Sequence, residues 1–150
     1  MLDRTQLEDR VWVTRAGVKI DRIASAWLVR RFIDEDAPFK FVTERDYTPA
    51  PREIRFDMPN GELTHEADRC TFEVIVSRAS LAVPGLAAIA EIVHDIDLHD
   101  DRYARPETQG VAAMLAGLVA TVADDDARIA QGMAMFDSLL AHLARMREPA

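Results

Sequence analysis

One helix-forming stretch limits what this chain can become. Between residues 20 and 33, Ile20, Ile23, Ala24, Trp27 and Leu28 recur at the i, i+3, i+4 spacing of a buried helical face. A second apolar set, Ala26, Val29 and Ile33, points elsewhere around the same helix. A helix that is apolar on two sides must be covered on two sides, so it belongs inside a layered domain. Short β-type runs flank it, Val11-Trp12-Val13-Thr14 before and Phe39-Lys40-Phe41-Val42-Thr43 after. Arg15 to Lys19 makes the turn into the helix, and Asp21 stands near its start, where the helix dipole favours an acid. Asp34-Glu35-Asp36-Ala37-Pro38 ends it. A strand, a helix and a strand in this order fit a parallel pair with a right-handed crossover.

The rest of the chain completes the layers. Glu53 to Met58 alternates as a third strand before the turn Pro59-Asn60-Gly61. Beyond it, four helical patterns follow. Asp68 can cap the first, whose stripe is Phe72, Ile75, Val76 and Ala79. Pro84 and Gly85 open the second, with Leu86, Ile89, Ala90 and Val93 as its stripe. Val111 to Val122 is almost entirely small and apolar and reads as a core helix. Asp124, Asp125 and Asp126 begin the last, where Met133, Phe136, Leu139, Leu140 and Leu143 form an apolar face. These patterns predict an α+β fold: a small sheet of about three strands packed against about five helices. They predict one compact domain over residues 11–150, behind a polar tail of residues 1–10.

Composition narrows the class. One cysteine in 150 residues excludes an internal disulfide and any multi-cysteine zinc module. The first ten residues have no apolar core of a secretory signal, and no apolar run is long enough to cross a bilayer, so a cytoplasmic location is expected with no membrane partner. Residues 1–60 hold 11 basic and 11 acidic side chains, whereas residues 61–150 hold 7 and 15. The whole net charge of −8 therefore lies in the second part, which argues against a nucleic-acid surface there and suits a bound cation.

That acidic part contains two clusters with ligand chemistry. His65-Glu66-Ala67-Asp68-Arg69-Cys70-Thr71-Phe72-Glu73 combines an imidazole, the only thiol and three carboxylates. Cys70, Glu73 and Ser77 share a face that points away from the Phe72/Ile75 stripe, and a thiol at a helix start is favoured as thiolate. Imidazole, thiolate and carboxylate together suit zinc or iron better than calcium or magnesium. The bland alternative is a helix cap beside a small buried cysteine. The second cluster is His94-Asp95-Ile96-Asp97-Leu98-His99-Asp100-Asp101. Continuing its helical stripe by four from Val93 reaches Asp97, and a core-facing carboxylate needs a partner or a metal. His94 lies three residues before it and is expected to share that partner, unless the helix ends by Asp95. His65, Glu73, His94 and Asp97 are thus the candidate metal ligands, with Cys70 as ligand, nucleophile or redox thiol. Arg22 and Arg31 are candidates for an oxyanion site, because Arg31 falls on the apolar stripe and needs an anion, either a carboxylate of the chain or a bound oxyanion.

Val13-Thr14-Arg15, followed by the run from Gly17 to Asp34, resembles the opening of the chromate resistance family, specifically the carboxy-terminal domain of the ChrB proteins. This domain is also called chromate resistance exported protein. Asp68 to Glu73 and Ile92 to Leu98 are similar to later blocks of that family. The resemblance covers residues 11–145 and implies a part in chromate resistance, as chromate-responsive regulators of an efflux operon. In longer members an additional amino-terminal region is assigned to DNA binding, so no direct nucleic-acid contact is expected of this domain. The leading expectation is a metal-binding domain of the chromate response, with chromate or another small oxyanion as partner. A metal-dependent hydrolase or redox enzyme is the alternative. A dimerisation module, built on the Met133/Phe136/Leu140 face, is the third.

Overall fold

The computed structural model describes residues 4–146. The elements run α1 (Arg4–Leu7), β1 (Val11–Arg15), α2 (Ile20–Phe32), β2 (Phe39–Val42), a 3-10 turn (Glu44–Asp46), β3 (Glu53–Arg55), α3 (Thr71–Arg78), α4 (Leu86–Leu98), α5 (Thr108–Thr121) and α6 (Asp125–Met146). Three strands form one sheet of order β2-β1-β3, and both pairings are parallel. Trp12 lies opposite Phe39 on one side and Ile54 on the other. The fold is α+β, with six helices among the described residues, counting the single turn of α1.

The doubly apolar helix is the centre, as its two stripes require. Ile23, Ala24, Ala26, Trp27, Leu28 and Val29 of α2 are all fully buried. The helix packs against α3, α4 and α6. Trp27 is stacked between Phe72 of α3, at 6.3 Å, and Phe136 of α6, at 5.3 Å. Its indole N–H donates to Asp137 at 2.8 Å. One continuous core joins these rings to Trp12, Ile54 and Phe56 of the sheet region.

Several expectations are corrected. Residues 1–3 lie outside the described part, but the expected polar tail includes α1, and its Leu7 is completely buried in the core. The third strand stops at Arg55, after which Phe56 bridges Leu63 while its N–H still donates to the Val13 carbonyl of β1 at 2.9 Å. Asp68 does not cap α3; Cys70 occupies that position, and the Glu73 carboxylate accepts the Cys70 N–H at 3.0 Å. The helix from Thr108 is not a core helix: only Thr108, Leu115 and Leu118 are buried, and Met114 is 63% exposed. Of the expected dimer face, Phe136 is buried within the chain while Met133 and Leu140 are half-buried against the core. Among the described residues, no helix is long and apolar enough to cross a membrane.

The contact between α2 and α6 depends on a missing side chain. A Cβ on Gly132 would lie 2.3 Å from the Ile23 Cγ2, whereas one on Gly117 would meet nothing within 4 Å. Urea denaturation should therefore separate two identical substitutions. Gly132→Ala should cost about 1–3 kcal/mol through overpacking. Gly117→Ala should add up to about 1 kcal/mol through helix propensity. Equal effects would contradict the close approach.

Candidate metal centre

Parallel strands in a sheet of order 2-1-3 leave a crevice beyond the carboxyl ends of the strands, where the two connections part. Here the crevice lies past β1 and β3. The turn after β1 leads through Gly17, at φ +80°, into the first turn of α2, which carries Asp21 and Arg22. The chain leaving β3 reaches Asp57, itself in the left-handed region at φ +49°. The Leu63–His65 segment and the last turn of α4, which carries Asp97, close the other sides. A cavity of about 460 Å³ opens here, lined by Arg15, Gly17, Lys19, Arg22, Asp57 and Asp97.

Three carboxylates surround one imidazole. The His65 Nε2 lies 3.0 Å from Asp97 Oδ2, 3.6 Å from Asp57 Oδ1 and 3.6 Å from Asp21 Oδ2. One ligand atom each from Asp21, Asp57 and His65 fall within 4.8 Å of one another. Asp21 is 3% exposed although it carries a carboxylate. Its Oδ1 accepts the Phe72 N–H of α3 at 3.2 Å and the Ser25 hydroxyl at 3.3 Å. Its Oδ2 is buried and has no hydrogen-bond partner among the described residues, since 3.6 Å to His65 is too long. Asp57 accepts the Thr71 hydroxyl at 3.1 Å, and the Arg22 Nε stands 3.4 Å from its other oxygen.

These surroundings set the protonation chemistry. Burial raises the Asp21 carboxyl to about 6, helped by repulsion from Asp57 and Asp97 and opposed by His65. The contact with Asp21 raises the His65 imidazole to about 9; the fields of Asp97 and Asp57 add to this and burial opposes it. Burial also pushes the Asp97 carboxyl upward. In the metal-free chain the imidazolium is thus the cation among the acids.

The four expected ligands do not form one set. His65 and Asp97 meet, but Glu73 and His94 form a second cluster. His94 is fully buried, with Nδ1 2.6 Å from Glu73 Oε1 and Nε2 2.9 Å from Asp100 Oδ2. Both ring nitrogens are held by carboxylates, so His94 ties α4 to α3 and to the following loop. Burial alone lowers its pKa, but the two hydrogen bonds outweigh it and the net shift is upward. Helix α4 runs on through Leu98, so His94 and Asp97 share a helix without sharing a partner. Cys70 belongs to the core, and burial, with Asp21 nearby, lifts its thiol far above the usual range. It is closed off from solvent and does not line the cavity beside Asp57 and Asp97. Arg31 is exposed and makes a two-pronged pair with Asp137, at 2.9 and 2.7 Å, so it takes the carboxylate option and does not join Arg22. Asp21 and Asp57 were absent from the sequence-derived set. Asp21 was legible, because Asp21, Ser25 and Val29 follow each other at i, i+4 into the second apolar face.

An α+β domain with an acidic, histidine-containing centre at the carboxyl ends of a small parallel sheet is therefore the class defined by fold and site. Residues 12–143 match the family described as the ChrB, C-terminal domain, and the chain belongs to it. Protein ChrB of Cupriavidus metallidurans is 35% identical over 147 residues, covering 97% of this chain and 44% of that protein. The chain thus spans less than half the length of this relative. No solved structure matches it.

Proton NMR of the metal-free chain should show His65 titrating near pH 9, with Asp97→Asn moving it downward. Its pKa is 6.5 when unperturbed, so its stabilisation is complete below about pH 6.5 and is lost as pH rises through about 9. His65→Asn should therefore lose less stability over that interval than the parent, and equal losses would contradict the ion-pair geometry. A thiol reagent at about pH 8 should leave Cys70 unmodified in the folded chain and react fully in urea.

Proposed function

We propose that this chain is a metal-binding domain of the chromate response, which holds one divalent transition ion beside an oxyanion. Family membership supports the part in chromate resistance. The metal reading rests on one observation: a buried carboxylate oxygen, Asp21 Oδ2, left without a hydrogen bond and facing two further ligand groups. A buried carboxylate oxygen without a hydrogen bond is costly even beside the His65 imidazolium, and a cation bound directly to it offsets that cost. Asp21, Asp57, Asp97 and His65 would hold the ion. The His65 Nε2 stands 3.6 Å from both the Asp21 Oδ2 and the Asp57 Oδ1, near the roughly 3.4 Å between ligand atoms of a tetrahedral ion with bonds of about 2.1 Å. Three oxygen donors and one imidazole suit zinc or iron(II), without the thiolate that the sequence suggested. Arg22, at the rim, is the oxyanion donor. The cavity beside the carboxylates favours a second reading, metal-dependent hydrolysis, in which the ion keeps an open position for water.

The chain purified without chelator should contain about one zinc or iron per molecule by inductively coupled plasma analysis. Zinc affinity by calorimetry should rise between pH 6 and 9, because His65 and Asp21 must release protons. Asp21→Asn should weaken zinc binding at least about tenfold, yet stabilise the metal-free chain by roughly 1–3 kcal/mol at pH 7 by removing a buried charge. Unchanged zinc affinity in this variant would overturn the metal reading.

A further inference from the structure

We propose that the cavity binds a tetrahedral dianionic oxyanion only together with the cation, and that Arg15 completes the oxyanion site. This rests on the metal reading above. Arg15 and Arg22 both line the cavity, from the end of β1 and the first turn of α2. Each leaves a buried guanidinium Nε–H without an acceptor among the described residues. Arg15 spends another nitrogen on Glu44, at 3.0 Å, and Arg22 has Asp57 at 3.4 Å in a poor hydrogen-bond geometry. Lys19 adds a third cationic group to the same lining. The guanidinium plane matches the edge of a tetrahedral oxyanion, and orphaned donors of this kind fit an anionic ligand.

The other wall of the same cavity is Asp57 and Asp97, with Asp21 and His65 adjoining. An orphaned acceptor, the Oδ2 atom of Asp21, stands on this side, beside the Asp97 Oδ2 that faces the His65 imidazole at 3.0 Å, as orphaned donors do on the other. An oxyanion entering the metal-free cavity meets the carboxylates of Asp57 and Asp97 as well as the cationic side chains. A divalent ion held by those carboxylates neutralises them and offers the oxyanion an open coordination position. The two ligands therefore bind with positive coupling, and linkage requires the effect to be reciprocal.

Calorimetry with sulfate, and separately with glycerol phosphate, tests this on the metal-free and zinc-loaded chain. Zinc loading should tighten sulfate binding by about 5–150-fold, and saturating sulfate should tighten zinc binding by the same factor. Arg15→Gln should abolish the coupling, read as the ratio of zinc affinities with and without sulfate in the same variant. Arg15→Lys should restore part of it. Tighter binding of glycerol phosphate than of sulfate would assign the oxyanion to an ester head group, and the reverse would assign it to a free ion. Sulfate affinity that is equal with and without zinc, or absent on the zinc-loaded chain, would overturn the coupling and leave the metal reading intact. A chain that binds no zinc would overturn both.

Discussion

The enclosure of α2 governs the rest of the molecule. With α3, α4 and α6 packed around it, even the polar first turn of the helix is drawn inside. Asp21 is carried there by covalent connection, since Ile23 and Ala24 cannot be buried without it. The dipole of α2 and the Phe72 N–H at the start of α3 stabilise its charge in part. One oxygen remains unanswered, and the acids and the imidazole around it are arranged in relation to that oxygen. The centre is thus a consequence of core packing.

Two histidines in closely similar surroundings have opposite roles. His65 is 44% exposed and faces three carboxylates with one ring nitrogen. His94 is enclosed, with each nitrogen already matched by Glu73 or Asp100. Its partners are fixed in turn: Glu73 also accepts the Cys70 N–H, and Asp100 accepts the Arg102 N–H. Asp95 accepts the N–H groups of Tyr103 and Ala104 in the same loop. The second cluster therefore ties the end of α4, which carries Asp97, to α3 and to the loop that follows.

The layers were legible because hydrophobic periodicity records burial, and the two stripes of α2 correctly demanded cover on two sides. The same rule found Asp97, where an acid continues an apolar row. It would have found Asp21 had the second row been followed backwards through Ser25. Asp57 left no such trace, since its position depends on a left-handed backbone after β3 that alternation cannot reveal. Pairing partners were also hidden. Glu73 and Asp97 look equivalent in the sequence, yet the turn of α4 sends His94 and Asp97 to different neighbours. The helix Thr108–Thr121 misled for a simple reason: small apolar residues report what a helix can tolerate, and α5 leaves many of its own exposed.

The turn that forms one wall of the cavity is held from the far end of the chain. The Asp125 carboxylate accepts the N–H groups of Gly17 and Val18, and the Arg128 guanidinium donates to the carbonyls of Val18, Val119 and Val122. The first of these bonds spans 108 positions. During synthesis, which proceeds from the amino terminus, the strands and acids of the centre emerge long before the residues that lock this turn. A chain cut before residue 125 would therefore keep every candidate ligand but not the clamp that holds this turn.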